Sequence, residues 1–172
     1  MRGDQHKPFG FVLHGQPSTK KNSATMVRMG KTNRAALIPS KAYLQYEKRC
    51  REAINILRSK TAVPHYEVGV NMGVRYYLQN KAHWPDLVGL MQATADILSD
   101  EYRIINHKKK TMVCPWLLSD DRIIKSWNGT IIAGLDPENP RAEIIITPLI
   151  STVDTELDPY IKRKIEEETE LF

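Results

Sequence analysis

The sequence predicts an α/β domain, a mixed sheet carrying two principal helices, followed by a helical tail. Three patterns carry that expectation. Between Tyr66 and Leu78, the residues Val68, Val70, Met72, Val74 and Tyr76 alternate with Gly69, Asn71, Gly73, Arg75 and Tyr77. Period two is the mark of a strand with one buried face. After Ser40, a helix-capping residue type, Tyr43, Tyr46, Cys50, Ala53, Ile54 and Leu57 recur at helical spacing. From Trp84 to Leu98, Leu87, Leu90, Met91, Thr94, Ile97 and Leu98 do the same.

The remaining elements follow in chain order. Lys7-Pro8-Phe9-Gly10-Phe11-Val12-Leu13-His14-Gly15 reads as a first strand, with Gln16-Pro17-Ser18 turning out of it. A long polar, basic loop is expected next, carrying Lys20, Lys21, Arg28, Lys31 and Arg34. Loops of that length in compact domains are functional or disordered. Cys50 sits on the apolar stripe of the first helix, the place of a buried filler. Pro85 suits a first helical position, because the amide it lacks has no helical acceptor there. Asp86 then stands in the first turn, where the positive end of the helix favours a carboxylate. His83 reads as a surface loop residue near it. Residues 99–118 form a connecting stretch with a basic cluster, Lys108-Lys109-Lys110, and an apolar end. Arg122 to Ile132 and Arg141 to Thr147 are the last strands, joined by a turn-rich stretch from Gly134 to Pro140.

A chain of 172 residues with 41% hydrophobic and 26% charged residues suits one globular domain, placed over residues 1–150. Residues 151–172 form an acidic extension, with seven acids against three Lys/Arg and Asp158-Pro159 opening a helical run. Such a tail should avoid phosphate and suits a protein partner. The net charge of +5 is unevenly spread, since residues 1–60 hold thirteen Lys/Arg against three Asp/Glu. A basic first third suits a phosphate backbone, although a solvated basic surface reads the same way. No run approaches the roughly 18 apolar residues of a membrane span. Two cysteines, Cys50 and Cys114, make no disulfide framework, so a reducing cytoplasmic setting is expected. Neither cysteine has a nearby second thiol, which argues against structural zinc.

Two acidic motifs carry the chemistry. Asp86 opens the second helix, and Ser119-Asp120-Asp121-Arg122-Ile123-Ile124 opens a strand-like run. Carboxylates at a helix start and a strand start can converge on one divalent ion, and Mg²⁺ often takes only one or two of them. Two other enzyme classes fail on spacing. His83-Trp84-Pro85-Asp86 superficially matches the Trp-Pro-Asp acid loop of tyrosine phosphatases, but Cys50 and Cys114 are followed at the required spacing by Ile56 and Asp120 rather than arginine. A glycine-rich triphosphate loop is also missing from the sequence.

The motif pair resembles the RusA-type Holliday-junction resolvases, which show Pro-Asp-x-Asp-Asn opening a helix that ends Asp-x-Leu, then Asp-Asp-x-x-Ile/Val. Here the first motif is Pro85-Asp86-Leu87-Val88-Gly89 running to Asp96-Ile97-Leu98, and the second is Asp120-Asp121-Arg122-Ile123-Ile124. The order of elements matches from about Phe9 to Leu149, with residues 99–118 reading as an insert where the family has a shorter link. The family's second aspartate falls on Val88, its asparagine on Gly89 and its helix lysine on Gln92. The resemblance implies a homodimer that binds Holliday junctions or other branched DNA in recombination and repair. It implies a Mg²⁺- or Mn²⁺-dependent endodeoxyribonuclease with Asp86, Asp120 and Asp121 as metal-binding catalytic acids. Lys20, Lys21, Arg28, Lys31 and Arg34 are the DNA contacts it implies, ahead of the 108–110 cluster. The three departures leave two readings open, an enzyme weakened in catalysis or a protein that binds branched DNA or a partner without cutting. Asp100 and Glu101 are the nearest replacement acids.

Overall fold

The computed structural model of the chain describes residues 3–20, 25–29, 34–81, 84–105 and 109–149. Its centre is a five-stranded mixed sheet. The elements are β1 (Phe9–His14), β2 (Thr25–Met29), β3 (Arg34–Ile38), α1 (Lys41–Lys60), β4 (Val70–Leu78), α2 (Leu87–Leu98), β5 (Glu101–Ile105), β6 (Lys109–Cys114), β7 (Ile124–Ser126), β8 (Ile131–Leu135) and β9 (Arg141–Pro148). The sheet runs β1-β9-β4-β7, with β8 also paired to β4. β9 is antiparallel to both β1 and β4, whereas β7 and β8 run parallel to β4.

The alternation read from β4 is the alternation it buries. Val70, Met72, Val74, Tyr76 and Leu78 are fully enclosed, together with Ala142, Ile144 and Ile146 of β9. Both long helices cover that face, α1 through Tyr43, Tyr46, Cys50 and Ile54 and α2 through Leu90, Ala93, Ile97 and Leu98. Ser40 caps α1 by accepting from the Tyr43 amide at 3.1 Å. The buried Tyr76 hydroxyl is paired with Thr94 Oγ1 at 2.8 Å, so this polar group inside the core is satisfied.

Three local expectations change. The stretch expected as a basic loop carries a β-hairpin, β2 paired antiparallel with β3. The expected strand from Arg122 to Ile132 is broken: a 3-10 turn covers Asp121–Ile123, and β7 and β8 are separate. Thr130 explains the break, because its hydroxyl accepts from Val74 N and donates to Met72 O, standing in for a strand partner along β4. Gly73 lets the intervening turn approach, since a Cβ there would lie 3.3 Å from Asn128 O. Finally, Pro85 precedes α2 rather than beginning it, because Asp86 is the capping residue.

The stretch 99–118 positions the second acidic motif. β5 and β6 form a hairpin, after which Trp116, Leu117 and Leu118 are buried as expected of its apolar end. The amides of Leu117 and Leu118 both reach Leu98 O at 2.9 Å, and Ser119 N bonds Tyr66 O. The chain is thereby returned to the end of α2 just before Asp120. Arg58 of α1 fastens the return, donating to the carbonyls of Pro115 and Trp116 at 2.9 and 2.7 Å. The tail from Ser151 lies outside the described residues. No helix among the described residues is long and apolar enough to cross a membrane.

Candidate active site

The solvent face of α2 is set by its repeat of about 3.6 residues. Val88, Gln92 and Asp96 fall four apart and form the outward stripe, while Leu90, Ala93 and Ile97 point inward. Val88 is 67% exposed, so it contributes no core packing. At the far end of this stripe Asp96 opens into a pocket of about 300 Å³. Its lining includes Lys20, Asp96, Asp100, Glu101, Asp120 and Asp121. With Glu47 and Arg51 on the same wall, carboxylates outnumber cations six to two.

Each acid is held differently. Lys20 Nζ donates to Asp96 Oδ2 at 2.7 Å. Arg122 grips Asp120 with two parallel bonds, Nε to Oδ1 at 2.7 Å and Nη2 to Oδ2 at 2.9 Å. Those bonds, with the Arg122 amide, hold the Asp120 carboxyl well below the usual carboxylate range. The neighbouring Asp121 is raised instead, first by burial, then by its hydrogen bond to Asp120 and by the charges of Asp120 and Asp96. Asp100 has a side chain only 2% exposed and is structural in its contacts, accepting from Trp116 N at 2.7 Å and pairing with His65 Nε2. Arg51 spans Glu47 and Glu101 at 3.1 and 3.2 Å.

The expected site is thus brought together in part. Asp120 and Asp121 meet in one pocket, and the acid they meet from α2 is Asp96. Asp86 stands outside that pocket, about 15 Å back along the helix axis. Its Oδ1 accepts from Gly89 N at 2.6 Å, capping the helix. Of the expected DNA contacts, Lys20 reaches the pocket, and Arg28 and Arg34 take register positions opposite Ala35 and Met29 in the hairpin. Lys21, Lys31 and His83 lie outside the described residues. Cys50 is buried, and burial pushes its thiol up to about 12, which removes it as a nucleophile at neutral pH. Asp96 is the aspartate of the Asp96-Ile97-Leu98 motif end, and its helical spacing from Val88 and Gln92 is the signal that it shares their outward stripe.

Among the described residues no three acids, histidines or cysteines form a ready cation cage. The oxygen chemistry nonetheless suits a hard ion. Asp120 and Asp121 line one pocket with Asp96, and Mg²⁺ needs only one or two carboxylate ligands when water completes its shell. No protein-family model and no curated protein matches this chain.

Proposed function

We propose that the chain is a RusA-like, Mg²⁺- or Mn²⁺-dependent endodeoxyribonuclease that acts on four-way or other branched DNA as a homodimer. The observation that carries this reading is the gathering of Asp120, Asp121 and Asp96 on the wall of one pocket where carboxylates outnumber cations. Crowding like charges is unfavourable unless a cation or proton joins them. Asp121 and Asp96 are the acids with oxygens left to hold an ion, and Asp120 is braced between Arg122 and Asp121. A bound divalent ion supplies Lewis acidity and an activated water for phosphodiester hydrolysis. Arg122 keeps Asp120 ionised and fixes the turn that carries Asp121. The basic hairpin region then serves to hold the DNA backbone, without selecting sequence.

The test is cleavage of a labelled four-way junction with and without Mg²⁺ or Mn²⁺. Metal-dependent nicking that Asp121→Asn abolishes supports the reading, since an amide is a poor substitute for a hard anionic ligand. Junction binding with no cleavage in either metal favours the second reading, a non-cutting junction binder. The observation favouring that alternative is that Arg122 and Lys20 already neutralise Asp120 and Asp96. Sedimentation at micromolar concentration checks the dimer, and a monomer alone counts against it.

A further inference from the structure

We infer that Lys20 is the cation that meets the scissile phosphate, a role that rests on the nuclease reading and differs from a general DNA contact. A phosphodiester entering this pocket meets a wall richer in carboxylates than in cations. Breaking its P–O bond builds further negative charge on the leaving oxygen, where a fixed cation inside the site acts most strongly. The other two nearby cations are committed. Arg51 bridges Glu47 and Glu101, and Arg122 is bound to Asp120 with its side chain 83% exposed. The outward stripe of α2 contributes only neutral side chains, Val88 and Gln92, before Asp96.

Lys20 is placed by built contacts. Thr19 is 5% exposed and docks on α2 at Gly89, where an added Cβ would lie 3.2 Å from the Thr19 methyl and 3.0 Å from an Asp86 oxygen. Absence of a side chain at Gly89 therefore lets the loop after β1 lie on the helix. The next residue, Lys20, extends to Asp96, about 10 Å farther along the helix axis. Its ammonium also stands 5.4 Å from the Tyr43 ring centroid. Asp96 takes one of three N–H donors, and the lysine side chain is 43% exposed, so the ammonium faces both the carboxylates and the opening. Asp96 is in this scheme a positioning residue for Lys20 as well as an acid of the site. The ammonium keeps its protons throughout and acts by charge and hydrogen bonding.

Four forms of the full chain test this on a junction substrate: wild type, Lys20→Met, Lys20→Arg, and Lys20→Met with Gln92→Lys. Lys20→Met should lower kcat by about 100-fold or more, the scale for loss of one charge-stabilising donor, with junction Kd and Tm little changed. Lys20→Arg should keep part of the rate. Gln92→Lys should restore part of it, because Gln92 is one helical turn from Asp96 on the same outward stripe. If Lys20→Met weakens Kd and KM while kcat holds, Lys20 is a binding contact, the inference is overturned and the nuclease reading stands. If wild type cuts in neither metal, the nuclease reading fails and this role falls with it.

Discussion

Asp86 separates two roles that the sequence alone leaves merged, helix-start acid and metal ligand. Its Oδ1 accepts from Gly89 N at 2.6 Å, and α2 begins at the next residue. Asp86→Ala removes the cap and should cost about 0.5–2 kcal/mol. For a chain of this size each kcal/mol moves Tm by about 2–4 °C. Asp86→Asn keeps a comparably good cap and forfeits only the charge at the helix start, about 0.3–1 kcal/mol. The expected order of melting temperature is wild type, then Asn, then Ala, measured by circular dichroism. Junction cleavage should survive Asp86→Asn, because the carboxylate stands about 15 Å along the axis from Asp96, outside the pocket. Loss of cleavage in Asp86→Asn with Tm nearly unchanged would refute this reasoning and make Asp86 a ligand.

Val88→Asp should leave Mg²⁺ affinity in titration calorimetry unchanged, because position 88 lies about 12 Å along the helix axis from Asp96 and outside the pocket, with stability changed by no more than about 0.5 kcal/mol because the side chain is exposed. Tighter Mg²⁺ binding would show that the ion is reached from the start of the helix. Arg58→Ala leaves two carbonyls of the insert without their donor, so a loss of about 2 kcal/mol is expected, with faster hydrogen exchange at Leu117 and Leu118. Cys114 should react with a thiol reagent at about pH 8 while Cys50 stays protected. The Cys50 pKa is raised in the fold, so this protection holds at neutral pH and its contribution to stability fades as pH climbs from about 9 towards about 12. Equal reaction of both thiols at neutral pH would contradict the burial. Neutralising Lys21, Arg28, Lys31 and Arg34 together should weaken junction binding for all sequences alike and flatten its salt dependence, and an unchanged salt slope would move the interface elsewhere.

Elements whose pattern is fixed by burial on one side were legible in the sequence, and the exceptions have physical causes. β4, α1 and α2 each pack a single face on the core, so period two and period 3.6 appear undisturbed in their residues. The run from Arg122 to Ile132 has strand composition throughout. Its break depends on Thr130 bonding the backbone of β4, a non-local contact with no local sequence signature. The basic stretch after β1 misled for a related reason, since β2 and β3 are paired to each other and to no other described strand. Polar composition therefore outweighed their short strand pattern.

The site was legible to the extent that its residues lie in motifs, and less so where tertiary contacts move them. Asp120 and Asp121 were found because two adjacent acids before an apolar run are conspicuous. Reading Asp86 with them requires the helix start to face the second motif, but the insert returns to the helix end through Leu98. That return selects Asp96 as the acid from α2. Once Asp96 is the partner, Gly89 and Gln92 cease to be independent departures. Gly89 admits Thr19 against the helix, Lys20 follows in sequence, and its ammonium reaches Asp96 from the loop while Gln92 supplies no charge from the helix. A substitution at Gly89 should therefore act at a distance. Gly89→Asn would press on Thr19 and the Asp86 carboxylate, lowering Tm and, through displacement of Lys20, lowering kcat together with it. Cleavage unaffected by Gly89→Asn would break the link between the loop and the pocket.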